Sequence, residues 1–357
     1  MPVHLRRELI DHGVVGAYHC YSRCVRRAFL CGEDGEVERD YRYRLDWVRD
    51  RLEALAQVFA IDVLDYAVME NHLHTILRNR PEVARGWSKA EVVRRWSRLS
   101  RRQLELLDAA SDAEVAEELE DDERVEKLRE RLSNVSWFMI MLKEPLSRKA
   151  NREDKVSGHF WAERFGSVQL LDEESLLVCS LYVDLNAIRA GRAGTPEDST
   201  YTGACDRLRD WQVEAVVGGE LQASALRRWF GTEVERAEFD WGPLLGRRRS
   251  GWLSPVRVEG DGYDGVTAKR RASDKGYLPM TLVKYLELLD ECGRREVEGK
   301  RGVIPAHLPP ILDRLGLDSG RWSDACVKEG KRFRWIAEQC AEQERERQQR
   351  QAKFSKK

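Results

Sequence analysis

The chain has 357 residues, 42% hydrophobic and 34% charged, and its 61 basic and 62 acidic side chains nearly cancel. That length supports a sizeable core and about two domains, while the near-zero balance excludes a globally basic nucleic-acid binder and confines any such site to a local patch. No window approaches the roughly 20 apolar residues that span a bilayer and no apolar run follows the first basic residues, so neither a membrane span nor a secretory signal is expected and the cytoplasm is the expected location.

In chain order, residues 14–25 read as a strand, with Ala17, His19, Tyr21 and Arg23 alternating against Tyr18, Cys20, Ser22 and Cys24. Leu45, Val48, Leu52, Leu55 and Phe59 recur at helical spacing. Residues 61–69 form a second strand and 72–77 a third, separated by Glu70-Asn71. Residues 84–132 read as an inserted, charge-dense pair of helical stretches, 88–109 and 113–132, the second strongly acidic. The expected reading is solvated helices extending from the core, with docking to a partner as the alternative. A helix over 134–151 is predicted to break near Pro145, and 165–171 is a short strand. Asp172 then caps a helix whose stripe is Leu177, Leu181, Leu185 and Ile188 and whose stop is Gly191. The order predicts an α+β fold: a ferredoxin-like palm with an antiparallel sheet and packed helices, a helical insertion and a mainly helical C-terminal region. Beyond 205 the pattern weakens. Residues 206–275 read as a linker region, 276–340 as a small helical region and 341–357 as a charged tail.

Eight cysteines stand at 20, 24, 31, 179, 205, 292, 326 and 340. None makes the short paired spacing of a structural zinc site. Cys20 and Cys24, near His19 and Cys31, are read as reduced thiols, with a metal site as the alternative.

Two patterns carry chemistry. His72 and His74 lie two apart on a strand, so both project to one face and can take two positions around a single metal ion. A pair of surface histidines is the plainer alternative. Tyr182 and Asn186 lie four apart on the capped helix and share one face, where a half-buried core-edge tyrosine is the plainer reading. Together they acquire a reason. A phenol is a poor nucleophile near neutral pH, and a divalent ion polarising a phosphodiester oxygen lowers the barrier it must cross.

Four segments then resemble a family in order and spacing: Gly16-Ala17-Tyr18-His19 with Ser22-Arg23, Val68-Met69-Glu70-Asn71-His72-Leu73-His74, Phe160-Trp161-Ala162-Glu163-Arg164-Phe165, and Tyr182-Val183-Asp184-Leu185-Asn186-Ala187-Ile188-Arg189-Ala190-Gly191. They are similar to the single-tyrosine HUH transposases, most of all the REP-associated tyrosine transposases, over about residues 12–205. The resemblance implies a metal-dependent endonuclease and strand-transferase acting on single-stranded DNA near hairpins. Tyr182 would be the nucleophile that forms a 5′-phosphotyrosine, and His72, His74 and Asn186 would hold Mg²⁺ or Mn²⁺. The family contains dimers that exchange tyrosine helices as well as monomers, so a homodimer is one expected form. Glu70 and Ala187 stand where the family usually has proline, which implies altered loop rigidity. A catalytically inactive or domesticated relative that binds DNA hairpins is the first alternative, and a hydrolase that activates water is the second. For phosphate contacts the arginines considered are Arg23, Arg26 and Arg27, Arg78 and Arg80, and Arg164. For stacking on unpaired bases they are joined by Tyr18, Phe160 and Trp161.

Overall fold

The computed structural model describes residues 13–25, 33–34, 39–99, 108, 111–112, 115–116, 120–236, 239–246, 248–257 and 270–315. Arg26, Arg27, Cys31, Cys326, Cys340 and the tail 341–357 lie outside the described residues. The described residues divide into two compact units. The first holds those up to 171 with 251–255 and 270–277, and the second holds 172–250, 256–257 and 278–315.

The first unit is built on β1 (Gly16–Arg23), α1 (Tyr43–Ala56), β2 (Ile61–Val68), β3 (His72–Asn79), α2 (Pro81–Gly86), α3 (Lys89–Ser97), α4 (Asp122–Leu132), α5 (Val135–Glu153) and β4 (Gly166–Leu170). The four strands form an antiparallel sheet in the order β2-β3-β1-β4. With α1 after β1 and α5 before β4, this is the split βαβ arrangement predicted from the sequence. The alternating apolar residues of β1 and β3 bury Tyr18, Cys20, Leu73 and Leu77 on one face of the sheet. Asn79 staples the start of β1, accepting from the Gly16 N–H and donating to the Val14 carbonyl.

β2 lies at the edge of the sheet order, and two features manage it. Residues 251–255 cover it: Leu253 forms a parallel bridge to Val63, the Ser254 N–H donates to the Val63 carbonyl at 2.9 Å, and buried Trp252 packs on Tyr66. A register shift between Val63 and Asp65 inserts one residue, which switches the parity of the strand and brings Asp65 and Ala67 to the face that carries His72 and His74.

α5 corrects one expectation. Pro145 does not interrupt the helix, which runs unbroken from Val135 to Glu153. Proline removes the N–H that would have bonded the carbonyl four residues earlier. That carbonyl, of Met141, instead accepts from Nε of buried Arg51 at 3.1 Å. A guanidinium from α1 thus satisfies the group that proline orphans.

The insertion also packs. α4 buries Val125, Leu128 and Leu132, and α3 buries Val92 and Val93. Arg129 donates to the carbonyls of Ala84 and Trp87, and Arg95 to those of Gln57 and Val58. Much of the remainder of the expected helical stretches lies outside the described residues.

The second unit contains α6 (Glu173–Asp184), α7 (Asn186–Arg189), α8 (Gly203–Val217), α9 (Leu282–Gly293) and α10 (Ile311–Arg314). α8 runs through the boundary expected at 205. The segment after it folds around Val213, Leu226 and Val234, with Trp229, Phe230, Phe239 and Trp241 packed against them. Within the expected linker range, the described residues between 213 and 245 thus form a folded segment whose aromatic residues have a core of their own to fill. Among the described residues, Cys20, Cys24, Cys179, Cys205 and Cys292 are buried and in no disulfide. No helix among them is long and apolar enough to cross a membrane.

Candidate active site on the histidine face and the tyrosine helix

Cross-strand register decides which side chains share the histidine face. β3 presents His72, His74 and Ile76, and β1 sets Arg23, Tyr21 and His19 opposite them in that order. The face grades from closed to open. Ile76 and His19 are almost wholly buried and His74 is 7% exposed, whereas His72 is half-buried, Tyr21 is 41% exposed and Arg23 is exposed.

The two predicted histidines come together, with ring centroids 5.0 Å apart and planes at 86°. Each has its Nδ1 engaged. Nδ1 of His72 lies 2.6 Å from Oδ1 of Asn71. A carboxamide oxygen only accepts, so this nitrogen carries the proton and the basic lone pair of the ring sits on Nε2. Nδ1 of His74 lies 2.9 Å from Nε2 of His19, whose ring stacks at 19° to it with centroids 5.1 Å apart. His19 is a neighbour that spacing within one strand does not reveal. Tyr21 is likewise a neighbour that the strand sequence does not single out. Its ring lies over Gly166 of β4, where a Cβ would collide with it, and its centroid is 6.2 Å from that of His74. The signal for both was the alternation of β1, and it needed the β1–β3 register to be read.

Tyr182 and Asn186 lie in the second unit. Asp172 caps α6 through the Ser175 N–H, and the Ser175 hydroxyl reciprocates. Leu177, Leu181, Leu185 and Ile188 are buried, and Tyr182 lies half-buried on the flank of that stripe. Nδ2 of Asn186 donates to the Tyr182 carbonyl at 2.8 Å. A carbonyl only accepts, so the amide nitrogen is fixed toward the helix and Oδ1 is the remaining acceptor of the group. Asp184 anchors the same turn, accepting from the Ala204 N–H at 2.9 Å and from the Tyr285 hydroxyl at 2.6 Å. Arg189 continues the anchoring with bonds to the carbonyls of Cys292 and Arg295. Gly191, at φ +69°, ends the segment as expected.

The proposed DNA contacts separate. Arg23 and Arg164 are exposed. Arg78 is 7% exposed, pairs with fully buried Asp62 at 2.7 Å and donates to the carbonyls of Lys275 and Gly276. Arg80 pairs with the same carboxylate at 2.8 Å. Phosphate contact by Arg78 and Arg80 is therefore corrected to a structural role: removing one partner of such a buried pair costs about 3–5 kcal/mol. Tyr18, Phe160 and Trp161 are buried as well, and Nε1 of Trp161 donates to the Lys143 carbonyl. Packing, not base stacking, accounts for them.

The two imidazoles by themselves suit a borderline divalent cation, and oxygen ligands would have to complete the shell of a harder one. Two imidazoles on one face, with Nε2 of His72 as that ring's basic nitrogen, match one side of a mixed nitrogen and oxygen shell. Among the described residues no three His, Cys, Asp or Glu side chains gather as a complete metal site. The pair offers two donors, and a cation held there would draw the rest of its shell from oxygen. Comparison with family models, curated proteins and solved structures finds no match to this chain.

Proposed function

We propose that the chain is a transposase: a metal-dependent endonuclease and strand-transferase that acts on single-stranded DNA at hairpin-flanked ends, with Tyr182 as its nucleophile. The observation that carries the reading is the pair of histidines side by side on one face of β3, with ring centroids 5.0 Å apart. Its support from the sequence is the four-segment resemblance to the single-tyrosine HUH transposases. By that resemblance, His72, His74 and Asn186 are the residues that would hold Mg²⁺ or Mn²⁺. When bound, that ion polarises a non-bridging phosphate oxygen and stabilises the charge that develops there.

The chain's own groups do the rest. The Tyr182 hydroxyl attacks the scissile phosphorus, forming a phosphotyrosine bond as the bond to the 3′ oxygen breaks. The phenolic proton leaves to solvent, and the departing oxygen takes one up to give a free 3′-OH. Attack by a 3′-OH on the phosphotyrosine reverses the exchange and joins strands, with the phenol restored. Tyr21, exposed beside the histidines, offers a ring for an unpaired base, and Arg23 and Arg164 offer charge to flanking phosphates.

The test is a hairpin oligonucleotide labelled at its 3′ end, incubated with Mn²⁺ and boiled in detergent. The expected result is a labelled protein adduct in the wild type that is absent in Tyr182→Phe and in His72→Ala or His74→Ala. Retention of DNA with no adduct makes the chain a hairpin-binding protein. Nicked DNA with no attached protein makes it a water-activating hydrolase.

A further inference from the structure

His19 lies on a different strand from the histidine pair and 55 residues from His74 in sequence, yet its ring nitrogen is 2.9 Å from Nδ1 of His74 and the two rings are nearly parallel. It is 1% exposed. Register explains the approach. His19 stands opposite Ile76 and Tyr21 stands opposite His74, so His19 meets His74 on the diagonal, within reach of a ring on the same face.

A hydrogen bond between two imidazoles has two possible directions with opposite consequences. If His19 donates, the proton of neutral His74 resides on Nε2 and that nitrogen cannot bind a cation. If His74 donates from Nδ1, the lone pair of His74 sits on Nε2, matching the state that Asn71 imposes on His72. We propose that His19 is a positioning residue: it accepts the Nδ1–H of His74 and thereby fixes the tautomer and ring orientation in which His74 takes a divalent cation. The inference rests on the metal role proposed for the pair. Its content is that a buried residue of β1, which does not itself bind the ion, sets half of the site. Asn71, one residue before His72, does the same for the other half from within the connection between β2 and β3. Such partners typically change metal affinity by 10–100-fold when removed.

The experiment uses the full chain labelled with ¹⁵N-histidine, with Mn²⁺ as the probe and no DNA. Long-range proton–nitrogen correlation spectra of the metal-free wild type read the His74 tautomer. The expected form is Nδ1–H, and an Nε2–H form overturns the proposal without any variant. Mn²⁺ binding is then measured calorimetrically in the wild type, in His19→Phe, which keeps a flat stacked ring without a nitrogen, and in His19→Gln, which keeps an acceptor oxygen. The expected result is a loss of about 10–100-fold in affinity for His19→Phe, with His74 shifted toward Nε2–H, and recovery to within a few-fold for His19→Gln. Wild-type affinity in a folded His19→Phe protein overturns the positioning role and leaves the metal reading standing. A wild type that binds no Mn²⁺ overturns both, whereas a missing DNA adduct with Mn²⁺ binding intact strikes only the proposed reaction.

Discussion

An imidazole has two nitrogens, and the partner of one decides what the other can do. In this chain the partners of His72 and His74 come from different distances: Asn71 is adjacent in sequence, and His19 belongs to a neighbouring strand. Neither partnership is read from the sequence alone: Asn71 stands there only as part of a strand break, and His19 needs the strand register. Arginine gave the converse lesson. Arg78 and Arg23 look alike in the sequence, but a buried carboxylate claims Arg78 while Arg23 stays exposed. Asp172 was readable as a cap, and its chemistry makes a prediction. The Ser175 N–H donating to its carboxylate holds that group below its usual pKa of 3.8. A carboxyl whose folded pKa is depressed contributes stability above the usual value and loses it as the pH falls through the folded one. Asp172→Ala is therefore expected to cost about 1 kcal/mol at neutral pH. Urea titrations repeated at falling pH should show the gap between variant and wild type closing below the usual carboxylate value, and a gap independent of pH would remove the charged cap from the account.

At the scale of elements, α5 shows how a local rule is overruled. Proline inside a helix removes a bond and predicts an interruption, yet the orphaned Met141 carbonyl is served by Arg51 of α1. The helix stays whole because a second helix supplies the missing donor. Holding that cation in the interior has its own cost, and burial pushes the Arg51 guanidinium down to about 10. The two residues should therefore be coupled. Arg51→Met leaves the carbonyl without a donor, whereas Pro145→Ala provides an N–H at the right place. A double-mutant cycle in urea is expected to give a coupling of about 1 kcal/mol, with Arg51→Met costing less when position 145 is alanine. Simple additivity would mean that the carbonyl does not depend on Arg51. The register shift in β2 belongs to the same scale. One inserted residue after Val63 moves Asp65 to the histidine face, and no periodicity in the strand announces it.

For the whole molecule, the near-zero net charge limits what long-range attraction can contribute to binding a polyanion. The DNA affinity proposed for the chain would have to come from a few local contacts, and Arg23 and Arg164 are the exposed ones proposed. Each phosphate neutralised on a single strand adds about 0.7 to the slope of log affinity against log salt. Arg23→Gln combined with Arg164→Gln is thus expected to flatten that slope by about 1.4, read by fluorescence anisotropy on a labelled hairpin oligonucleotide. An unchanged slope would move the phosphate contacts elsewhere. The division into units also bears on the chain's organisation: residues 251–255 and 270–277 return to the first unit after the tyrosine helix has been built in the second. A segment that looked like a linker is in part the cover of a sheet edge.

The sequence alone determined the order of strands and helices, the capped tyrosine helix and the two histidines on one strand face. Those features follow from period, capping chemistry and spacing between near neighbours, which a linear string records. The tertiary structure decided which strands pair and in what register, and with that the placement of His19 beside His74, of Tyr21 over Gly166 and of Arg78 on Asp62. The physical reason is that such pairings join residues far apart along the chain. Their partners are selected by packing and by the need to satisfy buried polar groups, neither of which leaves a local signature.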